Sequence, residues 1–231
     1  MATDQQQWER WFTHIWEQRE EHFYRKIFGD LGPTIHTIPP NVFSQFTSED
    51  PDPRWLTHGV FACPPGPGRP SWAYVTSALS NPWGQDPEAA DPEAYSGLGF
   101  EFIMRTQEQA DWAIHTLHWL MALQILTACG LIKGELLECN DLIPLGGPIA
   151  PAAPAETGAP PTLLRNLLIT EPDDLPAHIQ LDSGKVDLFA CVGITDREME
   201  FATSQGVPGL LVVLKHKEIF PLTDPARQNA L

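Results

Sequence analysis

The chain has 231 residues, of which 42% are hydrophobic, and its 30 acidic side chains against 14 basic ones give a formal net charge of −16. This length and apolar content are enough for one sizeable core, with at most an added lobe. A negative field of this strength disfavours nucleic acids and anionic membranes as partners and would attract a basic one, with simple solubility as the alternative explanation.

The start of the chain and its cysteines indicate a cytoplasmic protein. The first residues are polar and lead into an amphipathic helix, unlike a secretory signal, and no apolar run approaches the roughly 20 residues that span a bilayer. The cysteines show no CxxC spacing and lie mostly in apolar segments, so we expect reduced thiols without a disulfide. They are Cys63, Cys129, Cys139 and Cys191.

The first predicted element is an amphipathic helix over residues 5–28. Its charged residues, such as Glu20, Glu21 and Arg25, lie away from an apolar face with a heavy aromatic content. The apolar residues that recur near helical spacing are Trp8, Trp11, Phe12, Ile15, Trp16, Phe23 and Ile27. We expect this helix to dock on the body of the domain, and the alternative is a scaffold role in which it recruits a partner.

Short strands separated by proline-rich turns are predicted next. Alternation favours strands at 34–38, 57–63 and 71–79. The Pro/Gly connector at 64–70 is too poor in hydrogen-bond donors to be part of a sheet. An acidic loop around residues 86–93 then leads into the central strand.

The central strand is predicted at 96–105 and begins Ser-Gly-Leu-Gly-Phe-Glu. From Phe100 onward, alternate residues point to opposite faces, as in a strand. Gly97 and Gly99 leave bare backbone at its start, which suits a bulge or the close approach of another segment. Residues 106–109 read as a capping box, which predicts that a helix begins there.

The second half of the chain is predicted to mix helices and strands. A core helix from about residue 108 to 129 is apolar around much of its circumference. Residues 131–149 are irregular, and the Ala/Pro-rich stretch 150–161 is expected to be a mobile loop. The remaining predictions are strands at 163–170 and 185–194, a capping box at 195–198, helices ending before 206 and running from 208 to about 216, and a last short strand at 219–223.

Two side-chain groups offer an enzymatic alternative centred on residues 108–141. His115 and His118 lie one helical turn apart and could share a metal ion with Glu108 or Asp111. Acidic side chains after the helix offer an acid/base or calcium cluster, formed by Glu135, Glu138 and Asp141. Since no GxSxG, P-loop or dinucleotide motif is present, we expect neither a metal nor a cofactor.

Six segments, in the same order, resemble the suppressor-of-fused family, specifically the domain that is N-terminal in the animal proteins. The resemblance spans about residues 35–225, and the large second domain of the animal proteins has no counterpart here. The segments are Ser96–Glu101 with Gly97, Gly99, Phe100 and Glu101, the strand and turn at 72–84, the long helix from near Trp112, Leu167–Pro172, Val192–Glu198 and Leu222–Asp224.

The resemblance implies a binding protein. Animal members hold Gli transcription factors through a short peptide that adds as a strand in a cleft between two domains. Bacterial members have been proposed as immunity proteins that neutralise toxins delivered between cells. Strand addition suits this role because backbone hydrogen bonds supply affinity while a few side chains supply selectivity.

The resemblance also implies a contact site. An aspartate in a Gly-Asp-His segment after the long helix, and a tyrosine in a Tyr-Val-Phe segment within it, contact the peptide in the family. Here Asp141 matches the aspartate, flanked by Asn140 and Leu142, whereas Leu123 and Gln124 stand where the tyrosine segment would be. We expect the partner to contact these five residues.

Together these features predict a single α+β domain over residues 1–231. We expect a mixed, largely antiparallel sheet packed with a long central helix, two C-terminal helices and an N-terminal helix within residues 1–30. The favoured function is non-catalytic binding of a protein or peptide, most concretely toxin neutralisation, with a basic partner and no cofactor. A hydrolase or metal-dependent enzyme and a scaffold module are the alternatives.

Overall fold

The computed structural model describes residues 4–49, 52–151 and 161–231, so most of the loop expected at 150–161 lies outside the described residues. One eight-stranded sheet organises the described chain, with strand order β1-β2-β3-β4-β8-β6-β5 and β7 paired to β8. The strands are β1 Ile35–Thr37, β2 Gly59–Cys63, β3 Trp72–Ser77, β4 Tyr95–Thr106, β5 Leu142–Pro144, β6 Leu164–Thr170, β7 His178–Leu181 and β8 Gly184–Thr195.

The sheet is mixed and mostly antiparallel, as predicted. β4 and β8 run parallel at its centre, and the other strand pairs of the described residues are antiparallel. Both central strands are covered on two faces, which explains their near-continuous apolar sequences. The predicted interior strands around Phe102 and Val192 are confirmed, since both side chains are fully buried.

One face of the sheet packs on the long helix α4, Asp111–Ala128. Phe100, Phe102 and Met104 of β4 point to this face, while Ile103 points to the other, so the predicted alternation is confirmed. The outer side of α4 is covered by the short helix α3, Pro40–Phe43, and by apolar residues of the segment that follows α4. This double coverage explains why α4 is apolar around most of its circumference.

The opposite face is covered by helices from both ends of the chain. The N-terminal helix consists of α1, Asp4–Glu17, a π-helical stretch, Gln18–Tyr24, and α2, Arg25–Phe28. The C-terminal helices α5, Asp196–Gln205, and α6, Val207–His216, pack on β6 and β8. The structure therefore has three layers, with the sheet in the middle.

The N-terminal helix docks on the domain as expected, but its polar face differs from the prediction. Glu20, predicted to lie away from the apolar face, is only 6% exposed and accepts a hydrogen bond from the Ser77 hydroxyl at 2.5 Å. Arg19 beside it is fully buried and donates to the Asn81 side chain at 2.6 Å. The π-helical stretch has a longer period than an α-helix, which places these two side chains toward the sheet. Trp16, one turn earlier in α1, is 46% exposed.

Two predictions of local structure are wrong. Residues 106–109 do not form a capping box, because Thr106 is still paired with Trp72 in the sheet, and α4 begins after Ala110 without a side-chain cap. The expected strand at 219–223 is a turn that follows α6. The capping box at 195–198 is confirmed, with both reciprocal hydrogen bonds present.

Candidate functional site

The start of β4 binds the turn that follows β3. Glu101 is fully buried, and its carboxylate accepts hydrogen bonds from the backbone N–H groups of Ala78 (3.0 Å) and Ser80 (2.9 Å). The hydroxyls of Ser80 (2.7 Å) and Thr76 (2.6 Å) also donate to it. These four donors would be buried without partners if the carboxylate were absent, so Glu101 fixes the turn.

The two glycines of this segment are required by close contacts. Gly97 has φ +59° and Gly99 has φ +88°, in the left-handed region that favours glycine. A Cβ on Gly97 would lie 2.4 Å from the carbonyl oxygen of Asn81, and one on Gly99 would lie 2.9 Å from the ring of Tyr95. The predicted close approach of another segment is confirmed at Gly97, where that segment is the turn after β3, whereas the neighbour of Gly99 belongs to β4 itself.

Asn140, Asp141 and Leu142 lead into β5 at the edge of the sheet. The Asn140 N–H donates to the carbonyl of Ile169 at 2.7 Å, and Asn140 has φ +79°. One oxygen of the Asp141 carboxylate accepts from the backbone N–H of Glu138 at 2.8 Å. Asp141 therefore turns the chain into β5 with one oxygen, and its contact with a partner stays a prediction.

Leu123 and Gln124 lie in the second half of α4 and differ in access to solvent. Gln124 is only 1% exposed, and its Oε1 accepts the backbone N–H of Leu137 at 2.8 Å. Leu123 is half-buried. Gln124 can thus influence a partner only through the segment that it holds in place, whereas part of Leu123 is accessible.

A cavity of about 410 Å³ lies between residues 136–139 and the parallel β4–β8 pair. Its floor includes Phe100 and Phe189, whose rings stack with centroids 5.4 Å apart. The pairing of β4 with β8 is irregular between Tyr95 and Phe100, where the two glycines bulge. An aromatic floor in a cavity of this size suits a large apolar side chain.

Polar groups from separate segments surround this cavity. Lys185 Nζ lies 2.8 Å from Asp187 Oδ1, and the Tyr95 hydroxyl donates to Asp187 Oδ2 at 3.0 Å. Hydrogen bonding to Asp187 raises the pKa of Lys185. The carboxylates of Glu138 and Glu171 make no hydrogen bond or ion pair with the part of the chain that the structure describes. They are the two acidic groups of the rim that are free to meet a cation.

Cys139 and His178 also line the cavity. Burial raises the pKa of the Cys139 thiol, so the thiol stays protonated at neutral pH. A nucleophilic cysteine requires the thiolate, which a lowered pKa would favour. The two residues therefore do not supply an activated nucleophile, and the cavity is suited to binding.

The edge strand β5 has one side without a neighbouring strand among the described residues. It pairs with β6 through Leu142↔Leu168, Ile143↔Leu167 and Pro144↔Asn166, and flanking hydrogen bonds join Asp141 and Leu145 to β6. Because antiparallel pairing alternates, the N–H and C=O of Leu142 and the C=O of Pro144 point away from β6. This edge can accept another extended chain.

The helix histidines have different environments. His118 is 3% exposed, and its Nε2 lies 2.7 Å from the carbonyl oxygen of His36, whereas His115 is exposed. Burial lowers the pKa of His118. Across residues 4–49, 52–151 and 161–231, no group of three or more His, Cys, Asp or Glu residues is placed to hold a metal ion.

The polar rim of the cavity was missed from the sequence because its members are far apart in the chain. Tyr95 begins β4, Glu171 follows β6, and Lys185 and Asp187 lie on β8. The pairing of β8 with β4 on one side and with β6 on the other brings them together, and the residue types alone do not predict these pairings. The five predicted contact residues, Leu123, Gln124, Asn140, Asp141 and Leu142, do not line the cavity, and their contact with a partner stays a prediction.

Comparisons with known proteins identify the family. A family model described as suppressor of fused protein (SUFU) matches residues 54–228. No curated protein sequence matches the chain. Within the described ranges, no helix combines the length and the apolar character needed to cross a membrane.

Solved structures show the same fold at low sequence identity. A SUFU homologue from Neisseria gonorrhoeae FA 1090 matches with a TM-score of 0.57 and 17% identity, over 96% of this chain and 98% of that one. The structure of a Sufu–Fu complex matches with a TM-score of 0.54 and 19% identity, over 75% and 76%. Drosophila Suppressor of Fused matches with a TM-score of 0.54 and 20% identity over 75% of this chain, which spans 42% of that protein's length.

Proposed function

Because the chain belongs to the suppressor-of-fused family, we propose that it is a non-catalytic protein that binds an extended segment of another protein along the free edge of β5. The observation that carries this proposal is the outward N–H and C=O of Leu142, with the outward C=O of Pro144, on a strand without a second neighbour in the described chain. An added strand would satisfy these groups. A complex of a related protein with its partner, the Sufu–Fu complex, supports a binding role.

The partner that suits this site carries basic and large apolar side chains. Glu138 and Glu171 are unpaired acidic groups in the described structure, and Phe100 of β4 and Phe189 of β8 provide an apolar floor in the same cavity. The net charge of −16 adds a long-range attraction for a basic chain. Asp141 contributes its second carboxylate oxygen beside the edge strand.

The biological role that we propose is immunity, in which the chain neutralises a toxin in the cytoplasm of a bacterium. The Neisseria homologue shares this fold over nearly the full length of both chains, so a bacterial protein of similar extent has it. Growth of cells that express a candidate toxin, with and without this chain, tests the role. If this chain restores growth and Leu142→Pro does not, neutralisation through β5 is supported. If the chain restores growth against none of the candidate toxins, it has another binding role.

The binding site itself is tested with peptides selected from a random display library. We expect the selected sequences to be rich in Lys or Arg next to large apolar residues. Leu142→Pro replaces the outward N–H with a ring that would clash with an added strand, and an edge strand tolerates proline at such a position, so this variant should fold and should lose binding. Leu142→Ala keeps that N–H and is the matched control, which should retain binding within about threefold. Equal binding by both variants would show that β5 is not the site.

A further inference from the structure

A second surface of the molecule, on the outer side of α4, has the features of a ligand groove. This α4 groove has a volume of about 530 Å³ and is lined by Trp112 and Trp119 of the helix, Pro39 and Val42 of the α3 region, and Leu145 and Pro148 beyond β5. It is separate from the cavity between residues 136–139 and β8. No step of the proposed strand addition uses it.

The lining of the α4 groove carries no ionised carboxylate, ammonium or guanidinium. None of the described residues that line it is Asp, Glu, Lys or Arg, although the whole chain has 30 acidic side chains. A lining with apolar side chains and no carboxylate suits an uncharged segment, and it offers no ion pair to a basic one. The groove therefore differs from the acidic site proposed at β5.

The two tryptophans supply unused hydrogen-bond donors. Trp112 and Trp119 are both half-buried, and no acceptor for their indole N–H groups lies within the ranges that the structure describes. The Trp119 ring is held by the ring of Phe46, with centroids 5.5 Å apart. Each indole is thus an apolar platform with an available donor.

The spacing of the indoles matches a polyproline II helix. Trp112 and Trp119 are seven residues apart, which places them about 10.5 Å apart along the helix axis. Three residues of polyproline II advance about 9.3 Å, and its backbone carbonyls have no internal hydrogen bonds. An α-helical ligand satisfies its own carbonyls and gains little from the two donors.

We propose that the α4 groove binds an uncharged, proline-rich segment of a partner protein in the polyproline II conformation. Prolines three residues apart pack on Trp112 and Trp119, and the indole N–H groups donate to carbonyls of the segment. The rigidity of the ligand reduces the entropy lost on binding. This site goes beyond the proposed function, because it neither uses the β5 edge nor needs a basic partner.

The test uses a capped synthetic peptide of Ala-Pro-Pro repeats, about 12 residues long, and follows the indole N–H resonances of the protein by NMR. Of the eight tryptophans, Trp112 and Trp119 should shift. Trp112→Phe and Trp119→Phe each keep a ring but lose the donor, and should weaken binding about fivefold to tenfold. Trp16→Phe, at an exposed tryptophan on the other face of the sheet, is the control and should leave binding unchanged.

Three outcomes would overturn the proposal. One is equal binding of an uncharged helical peptide of the same length, and another is loss of affinity in Trp16→Phe as large as in Trp112→Phe. The third is no shift of the two resonances at millimolar peptide. Leu142→Pro should bind the repeat peptide normally, so failure of the strand-addition site and failure of the α4 groove give different results.

Discussion

At the scale of single residues, Glu101 and Asp141 show how the same chemical group, a carboxylate, can have different roles. The Glu101 carboxylate is buried and receives four hydrogen bonds, whereas Asp141 is half-buried and binds Glu138 through one oxygen. The resemblance to the family singled out both residues, but it does not distinguish a carboxylate that holds a turn from one that meets a partner. The hydrogen-bond partners make that distinction.

Glu101→Gln is expected to destabilise the fold. Oε1 accepts three of the four hydrogen bonds, so the amide oxygen can keep these three when it takes that position. The NH₂ group then faces the Thr76 hydroxyl, which loses its acceptor. We expect a loss of about 1–3 kcal/mol in the free energy of unfolding, measured by urea denaturation. Glu135→Gln, at an exposed glutamate, is the control and should change it by less than about 0.5 kcal/mol. A similar urea midpoint for both variants would contradict this role of Glu101.

The two substitutions of Asp141 separate its role in the turn from its role in binding. Asp141→Asn keeps an oxygen for the N–H of Glu138, so the melting temperature should stay the same, while the lost charge weakens binding of a basic peptide. Asp141→Ala loses the acceptor oxygen and the charge, and should weaken binding by about one to two decades. A lower melting temperature in Asp141→Ala with unchanged binding in both variants would leave Asp141 with the turn alone.

At the scale of elements, local sequence patterns predicted the strands and helices correctly wherever tertiary contacts did not override them. The alternation from Phe100 and the capping box at Thr195 both predicted real elements. Thr106 shows a limit of prediction from local patterns. The residues of a capping box are present there, but pairing with Trp72 keeps Thr106 in the sheet. Glu20 shows a second limit of prediction from local patterns. It was expected on the polar face of an α-helix, but a π-helical stretch changes the helical period at this residue.

The packing of β4 on α4 predicts the cost of removing its central aromatic ring. Phe102 is fully buried, with the rings of Phe100 and Phe189 at 5.2 and 6.4 Å. Phe102→Ala should therefore cost about 3–5 kcal/mol, as large-to-small substitutions in a core do. Urea denaturation measures it, with Leu163→Ala at a 44% exposed position as the control. A loss under about 1 kcal/mol would mean that this face of β4 is not core.

At the scale of the whole molecule, the three layers place charged groups mostly outside and a few ionisable rings inside. His58 is fully buried between Trp55 and Trp83, with ring centroids 5.0 and 6.4 Å away. Burial, and secondarily the charge of Arg19, lower the pKa of His58 to about 3. The folded protein thus keeps this ring neutral where an unfolded chain would protonate it.

The buried ring predicts how stability depends on pH. Below about pH 6.5 the unfolded chain takes up a proton at His58 that the folded chain does not accept until about pH 3. The stability is therefore complete above pH 6.5 and falls by about 1.4 kcal/mol per pH unit on acidification through this window. His58→Phe keeps a ring between the two tryptophans but has no group that takes up a proton. Its free energy of unfolding should therefore fall by about 2 kcal/mol less than that of the wild type between pH 7 and pH 5. Equal losses, measured by urea denaturation at both pH values, would contradict this.

The parallel pairing of β4 with β8 also has a consequence for synthesis. When β4 leaves the ribosome its neighbour β3 is available, but β8 begins about 80 residues later in the chain. At about 5–20 residues per second, roughly 4–16 s pass before the central pair can form. During that interval an apolar strand edge is open to other nascent chains. We therefore expect the yield of soluble protein to depend on holding chaperones and to rise when translation is fast through residues 107–183.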